Sequence, residues 1–328
     1  MKQKATYFIR LSETGLDDTH FGLGEAGLFR GLSCDDRPDY EIILAEVCTN
    51  IDRYAAEPSL LRDYPSIRFA VETAVKDFNN GCRRTIYPSA WTCGDKSIAI
   101  NGLVWMGDRE LMRQRIAEKL ADGFKCVKIK IGGINFDEEI DLLRFIRSQA
   151  PDIELRLDAN GAFSPDEAIG KLNRLADFGI HSIEQPIRAG QWDEMHRICR
   201  ESPIPIALDE ELIGIKSVDD KRRMLDRIRP QFIILKPTLI GGFEVSAEWI
   251  DLASELDCGW WVTSALESNI GLNAIAQWVA TLDSNMPQGL GTGQLYDNNI
   301  PSPLTLSGEK LLYAPDKCWE IPELSWKS

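Results

Sequence analysis

Charged side chains recur through the middle of this chain at a nearly constant interval of 25 to 28 residues. The set consists of Lys128 and Lys130, Asp158, Glu184, Asp209 and Glu210, and Lys236. Carboxylates gathered without a cation would repel one another and take up protons. With a hard divalent cation they become ligands, and an all-oxygen set selects Mg²⁺, or Mn²⁺ in its place, over zinc. A lysine beside such a cation can act as a base near neutral pH, because neighbouring positive charge lowers its pKa.

Each of these charged residues closes a short apolar segment of β-rich composition. The segments are SIAINGLVWM (97–106), CVKIKI (126–131), IELRLD (153–158), HSIEQPI (181–187), PIALDE (205–210), QFIILKP (231–237), WWVTSA (260–265) and QGLGTG (288–293). Stretches of helical periodicity separate them, so the repeat is a β-loop-α unit and the sheet is parallel. Eight such units favour a closed (β/α) barrel. An open doubly wound sheet stays an alternative, because periodicity does not show closure.

In a (β/α) barrel the active site forms where the strands end, so the common interval predicts that all of these side chains meet at one mouth. Singly, each has a plainer explanation. Asp158 could start a turn, Glu184 could be an ordinary loop residue, and Asp209-Glu210 could cap a helix. A lone lysine at a strand end is usually solvated. Together, at one interval, they indicate a shared site.

The first part of the chain lacks the strand-helix repeat and instead has glycine-rich loops and a helical pattern from Tyr40 to about Glu57. It predicts a small α+β unit over residues 1–95, beside a barrel over 96–299. The Pro-rich segment 300–328 is expected to pack back on the first unit.

The composition narrows the class of protein. Among 328 residues, 37 Lys and Arg face 51 Asp and Glu, a net charge of −14, which argues against nucleic acid as a partner. No run of about 18 apolar residues could cross a membrane. The start lacks the apolar region of a signal peptide, so we expect a cytoplasmic protein. The eight scattered cysteines predict reduced, mostly buried thiols. The oligomeric state is not readable.

The charged motifs resemble those of the enolase superfamily, in its muconate-lactonizing branch. They are Lys128-Ile-Lys130, RLDAN (156–160), IEQP (183–186), LDEE (208–211) and LKP (235–237). GLGEAGLFRGLS (22–33) is similar to the substrate loop of the capping domain, and TSALESNIGL (263–272) and GLGTG (289–293) to the late barrel strands. The resemblance covers nearly the whole chain. It implies an enolase-like modified (β/α) barrel with an N-terminal α+β capping domain, acting on a small-molecule carboxylate.

The resemblance also implies roles. Asp158, Glu184 and Asp209 would be the Mg²⁺ ligands. Lys130 would remove the proton α to the substrate carboxylate, and Lys236 would stabilise the enediolate from the opposite face.

Other residues are implied as supporting or substrate-binding groups. Lys128 would hold a carboxylate oxygen and lower the pKa of its neighbour, while Asn160 and Glu210 would lie near the metal. Ser264 is placed to meet a substrate carboxylate. Arg156 shares the inward face with the metal ligands and suits a second substrate carboxylate, although a buried structural ion pair explains it equally well.

Within the branch, the chain is most similar to the o-succinylbenzoate synthases of menaquinone biosynthesis, which eliminate water from a cyclohexadiene carboxylate. An N-acylamino-acid racemase or dipeptide epimerase is the alternative on the same site. The epimerases carry an Asp-x-Asp signature after the last strand, and Asp297-Asn298-Asn299 departs from it. A Schiff-base aldolase without metal and a non-enzymatic binding protein on the same barrel are the remaining hypotheses.

Overall fold

Two antiparallel strands and three helices build the N-terminal unit. The structure, a computed structural model, describes residues 3–13, 20–323 and 326. The elements are β1 (Tyr7–Leu11), β2 (Gly22–Ala26), α1 (Tyr40–Thr49), α2 (Ile51–Ala56) and α3 (Pro65–Asn79). Strand β2 lies directly on α3, and Ile67, Ala70 and Ala74 are buried in the cluster between the helices and strands of this unit.

The helix expected from Tyr40 to about Glu57 is in fact two helices. Asn50 separates α1 from α2, with a φ of −125° that is not helical. Its side-chain Nδ2 donates to the carbonyl of Glu46 at 3.1 Å, so the amide competes with the helical backbone pattern. The periodicity of apolar residues continues across this break, which is why the sequence pattern did not reveal it.

In the elements that follow, strands and helices alternate as the repeat predicts, except that two strands open the series and two successive helices follow the strand at 232–235. They are β3 (Ile98–Ala99), β4 (Gly102–Val104), α4 (Arg109–Ala121), β5 (Cys126–Lys130), α5 (Phe136–Gln149), β6 (Glu154–Asp158), α6 (Pro165–Ala176), β7 (Ile180–Glu184), α7 (Trp192–Glu201), β8 (Ile206–Leu208), α8 (Val218–Ile228), β9 (Phe232–Leu235), α9 (Pro237–Ile240), α10 (Gly242–Glu255), β10 (Gly259–Val262) and α11 (Asn269–Val279). Strands β4 to β10 form one parallel sheet in chain order. The predicted parallel architecture is confirmed.

The two edges of this sheet are joined by a short segment near residue 288. Gln288 accepts at its carbonyl from the backbone N–H of Asn101, directly before β4, at 3.0 Å, and Gly289 donates its N–H to the carbonyl of Val262, the last residue of β10, at 2.8 Å. Since one segment pairs with both the first and the last part of the sheet, the sheet curls round on itself instead of remaining open. The eighth predicted segment therefore closes the barrel with only two bridging residues.

The C-terminal segment forms two more strands, β11 (Leu304–Ser307) and β12 (Lys310–Tyr313), which make an antiparallel sheet with β3. Beyond them, Trp319 and Ile321 pack on a buried cluster that includes Leu23 of β2. The boundaries proposed near residues 95 and 299 stay predictions.

All eight cysteines are free, as expected for reduced thiols, but most of them are not buried. Only Cys126, Cys199 and Cys258 are buried, and four others are exposed. Their positions on helix and loop surfaces could not be read from spacing alone. Among the described residues, no helix combines the length and apolar character that a membrane span needs.

Candidate active site

The strand register brings the charged residues to one end of the sheet. Lys130 at the end of β5 lies opposite Asp158 at the end of β6, and Asp158 lies opposite Glu184 at the end of β7. Asp209 follows the last residue of β8, and Lys236 follows the last residue of β9. Alternation along β5 places Lys128 on the same face as Lys130.

Ammonium groups and carboxylates are in direct contact within this set. Lys128 Nζ lies 2.7 Å from Asp158 Oδ2 and 2.5 Å from Glu184 Oε2. Lys130 Nζ donates to Asp158 Oδ2 at 2.6 Å and to Asn160 Oδ1 at 2.6 Å. Asp158 is wholly buried and Glu184 nearly so. Buried charges at such distances stabilise one another in a region that water does not screen.

Side-chain hydrogen bonds also link the residues that follow β8 and β9. Lys236 Nζ donates to Asp209 Oδ2, and Asn160 Nδ2 donates to Glu210 Oε1 at 2.8 Å. The two groups assigned to acid-base and electrostatic roles, Lys130 and Lys236, thus contact different carboxylates of the cluster.

Burial and neighbouring charge shift the pKa values of the buried groups in opposite directions. Burial alone would raise the pKa of Asp158, but the ammonium groups of Lys128 and Lys130 hold it below its usual range. Burial raises the pKa of Glu184 well above its usual range, and the negative charge of Asp158 adds to that effect. Burial opposes the charge on Lys128 and Lys236, yet the carboxylates beside them raise both pKa values. The lowered lysine pKa expected from the sequence requires a bound cation and stays a prediction.

The carboxylates fit a divalent cation in chemistry, although in the described part of the chain no three His, Cys, Asp or Glu side chains are arranged to hold one. The lysine ammonium groups take the oxygen atoms that a cation would use. Two buried oxygen atoms, Glu184 Oε1 and Glu210 Oε2, have no hydrogen-bond partner. Buried acceptors without partners are uncommon, and an all-oxygen set with free lone pairs suits Mg²⁺.

A glutamine fixes the loops that carry the acidic residues. Gln185 directly follows β7 with a φ of 40°, in the left-handed region. Its Oε1 accepts from the backbone N–H of Asp209 at 3.2 Å, and its Nε2 donates to Glu211 Oε2 at 3.2 Å. Glu211 Oε1 in turn accepts from Gly190 N at 2.8 Å. Gln185 and Glu211 lie inside the IEQP and LDEE motifs, but sequence reasoning assigned them no role.

A cavity of about 350 Å³ opens above the cluster, between the barrel and the N-terminal unit. Lys128, Lys130 and Lys236 face it from the barrel, together with Asn160 and Glu210. The loop after β2 supplies the opposite wall with Phe29, Arg30, Gly31 and Leu32. This loop is the one that resembles a capping domain's substrate loop. The metal-ligand candidates themselves lie beneath the lysines.

The two remaining substrate-binding candidates differ in where they lie. Ser264 lines the cavity, but its hydroxyl donates to Glu267 Oε2 at 2.5 Å and accepts from Thr292 Oγ1 at 2.8 Å. Its direct contact with substrate stays a prediction.

Arg156 does not line the cavity. It is buried, pairs with Glu154 at 2.8 Å and donates to the carbonyl of Pro287 at 2.8 Å. Its guanidinium also stacks 4.3 Å from the ring centre of Trp261. The structure therefore favours the ion-pair explanation for Arg156, because the side chain points along β6 away from the mouth.

Comparison with known proteins adds the family. A family model described as enolase C-terminal domain-like matches residues 111–315. An o-succinylbenzoate synthase from Desulfotalea psychrophila (strain LSv54 / DSM 12343) is 45% identical over 94% of this chain and 92% of that protein. The crystal structure of MenC from Desulfotalea psychrophila LSv54 has a TM-score of 0.83 and 44% identity, covering 94% of each chain. The L-Ala-D/L-Glu epimerase from Bacillus subtilis, at 20% identity and a TM-score of 0.77 over 94% of this chain and 88% of that one, shares the fold. This chain belongs to the enolase superfamily.

Proposed function

We propose that this chain is an o-succinylbenzoate synthase, which converts 2-succinyl-6-hydroxy-2,4-cyclohexadiene-1-carboxylate to o-succinylbenzoate and water. The observation that carries the proposal is the charge around the cavity. The described lining residues include four cations (Arg30, Lys128, Lys130 and Lys236) and one carboxylate, Glu210. Asp158, Glu184 and Asp209 beneath the cavity pair with the three lysines, and Asp36 pairs with Arg30. A divalent cation on the three buried carboxylates would leave the lysine charges for a substrate with two carboxylates. The relative of 45% identity that carries this name supports the same conclusion.

Lys130 is placed to move the proton. Its Nζ takes the proton from the ring carbon that bears the carboxylate, and the electron pair stays on the substrate. The bond between the neighbouring carbon and its hydroxyl then breaks, and the hydroxide leaves as water with the proton that Lys130 returns. The ring gains its third double bond and becomes aromatic. One lysine on one face can perform both transfers.

The other two lysines, Lys128 and Lys236, would stabilise negative charge on the substrate. Removal of a proton next to a carboxylate places two negative charges on a small group, so cations close by lower the barrier. Lys236 would face this group from the side of Asp209, and Lys128 would hold a carboxylate oxygen.

We propose Mg²⁺ as the cofactor, held by Asp158, Glu184 and Asp209. When bound, the ion supplies positive charge to the substrate carboxylate. The buried, partnerless Glu184 Oε1 supports this assignment. The ion would also neutralise the carboxylates that now hold the three ammonium groups, which frees Lys130 for its role as a base.

The racemase alternative requires Lys130 and Lys236 to work as acid-base partners on opposite faces. The dipeptide epimerase alternative requires an acidic partner for an α-ammonium group after the last strand, and in the part of the chain that the structure describes Asp297 does not line the cavity. Gly289, Gly291 and Thr292 lie there instead. We also propose that the protein acts in menaquinone biosynthesis and lies in the cytoplasm. Eight free thiols are compatible with a reducing compartment.

The test is to incubate the protein and Mg²⁺ with the cyclohexadiene precursor and to follow aromatisation in the ultraviolet. N-succinyl amino acids, assayed for racemisation in parallel, provide the comparison. We expect the elimination to be the faster reaction. Racemisation without elimination would contradict the proposal and favour the alternative.

A further inference from the structure

A buried carboxylate, Glu267, joins the loops that follow the last strands of the barrel. Glu267 lies between β10 and α11 and is wholly buried. Thr238 Oγ1, in α9, donates to its Oε1 at 2.5 Å, and Ser264 Oγ donates to its Oε2 at 2.5 Å. Thr292 Oγ1, beyond the segment that closes the barrel, donates to Ser264 Oγ at 2.8 Å. Glu267 lies inside the TSALESNIGL motif, but sequence reasoning assigned it no role.

The hydrogen-bonding capacity of the Ser264 hydroxyl is filled by the protein. A hydroxyl donates one hydrogen bond and accepts two. That of Ser264 donates to Glu267 and accepts from Thr292 and from the backbone N–H of Leu266 at 3.0 Å. A substrate carboxylate only accepts, so Ser264 could bind it only by leaving a buried oxygen of Glu267 without a donor. The arrangement favours a connecting role for Ser264 over direct contact with substrate.

The segments tied to Glu267 form one wall of the cavity. Residues 263–266 line it after β10, and Gly291 and Thr292 line it beyond the closing segment. The N-terminal unit packs on the same carboxylate, since a Cβ at Gly27 would lie 3.3 Å from Glu267 Cγ. Loss of a hydroxyl donor would leave a buried acceptor unpaired, so this network holds the loops in one arrangement.

We propose that Glu267 is a positioning residue that holds this wall in the shape that the substrate fits. The inference rests on the proposed function, which places the substrate in the cavity. Lys130, the proposed base, is carried by β5, which is not one of the segments that Glu267 joins. Lys236 is held separately, because its carbonyl accepts from the backbone N–H of Leu239 at 2.8 Å. A displaced wall should therefore weaken substrate binding more than it slows proton transfer.

The test uses two changes at Thr238, which is buried and, among the described residues, is not part of the cavity lining. Thr238→Val removes the hydroxyl that donates to Glu267 and keeps the shape of the side chain, whereas Thr238→Ser keeps the hydroxyl. In Thr238→Val, KM for the cyclohexadiene precursor should rise roughly 3- to 10-fold, because an oxygen of Glu267 loses its donor. The single-turnover rate should change by less than about twofold. Thr238→Ser should retain the KM of wild type.

A second readout does not require turnover. The backbone N–H of Leu266 is held by Ser264 Oγ, so its hydrogen exchange should be faster in Thr238→Val than in wild type, although position 238 lies in another loop. Thr238→Ser should exchange as wild type does. An inert wild-type protein would refute the proposed function, and the exchange measurement would still test whether Glu267 holds the wall.

Three results would overturn the inference. They are an unchanged KM in folded Thr238→Val, an equal rise of KM in the Val and Ser variants, and a fall in the single-turnover rate with KM preserved. If Thr238→Val does not fold, Glu267→Asp provides the same test, because it keeps both oxygens but withdraws them by one methylene. The same rise in KM is expected there, and an unchanged KM would overturn the inference.

Discussion

Replacement of Gly24 by alanine tests how the N-terminal unit positions the cavity wall. A Cβ at Gly24 would lie 1.9 Å from the carbonyl oxygen of Ala70 and 2.6 Å from Thr73 Oγ1, whereas ordinary contact begins near 3.4 Å. Strand β2 would have to move away from α3 by about 1.5 Å, the difference between those distances. A helix carbonyl cannot rotate away, so we expect a loss of about 3 kcal/mol in the free energy of unfolding, the upper end for overpacking.

The same shift should reach the active site. Phe29 and Leu32 follow β2 by a few residues and line the cavity, so KM should rise while the chemical step is less affected. Urea denaturation, with midpoint and slope, measures the stability.

The matched control is a Gly→Ala change at a position where the added Cβ meets no other heavy atom. Gly170 lies inside α6, is exposed, and has no heavy atom within 4 Å of an added Cβ. Gly170→Ala should therefore raise the free energy of unfolding by about 0.5–1 kcal/mol, because alanine is the better helix former. If Gly24→Ala were as stable as wild type or more stable, the close packing of β2 on α3 would be refuted.

Three further predictions address single side chains. Arg156→Met should lower the free energy of unfolding by about 2 kcal/mol, because Glu154 and the Pro287 carbonyl lose a partner. The same variant should keep the kcat/KM of wild type. A loss of kcat/KM in a stable variant would indicate that Arg156 binds substrate. Burial raises the pKa of Glu72 from 4.5 to about 7, so its contribution to stability is complete below pH 4.5 and is lost as the pH rises towards 7. Urea titrations of wild type should show a fall of about 2–3 kcal/mol between pH 5 and pH 8 that Glu72→Gln largely removes, and parallel profiles would contradict this. Asp209→Asn should weaken Mg²⁺ affinity in a calorimetric titration, and unchanged affinity would remove Asp209 from the ligand set.

The sequence predicts the parts of this site that depend on strand spacing. Lys130, Asp158 and Glu184 meet because each ends a strand of a parallel sheet, and a common interval along the chain is enough to place them together. The barrel class follows from the same repeat. The sequence pattern does not predict that Gln288 and Gly289 close the barrel, because closure depends on the backbone pairing of only two residues.

Contacts between distant segments are the part that spacing does not reveal. The wall contributed by Phe29 and Leu32 depends on how β2 packs against α3, and the sequence suggested it only through resemblance. The orientation of Arg156 depends on Glu154, a neighbour on its own strand, and not on its distance from Asp158. Trp105 lines the cavity after β4, and its backbone carbonyl accepts from Arg115 in the next helix at 2.9 Å. Each of these is a matter of side-chain partners and not of periodicity.

The central claim is that Lys130 carries the proton in an elimination of water, and one measurement tests it most directly. The single-turnover rate of aromatisation of the cyclohexadiene precursor, with Mg²⁺ present, should be compared between wild type and Lys130→Ala. We predict a loss of at least about 10²- to 10⁴-fold, the range for removal of a general base. Far-ultraviolet circular dichroism should show the fold intact. A folded Lys130→Ala protein that aromatises the precursor at a rate close to that of wild type would contradict the account.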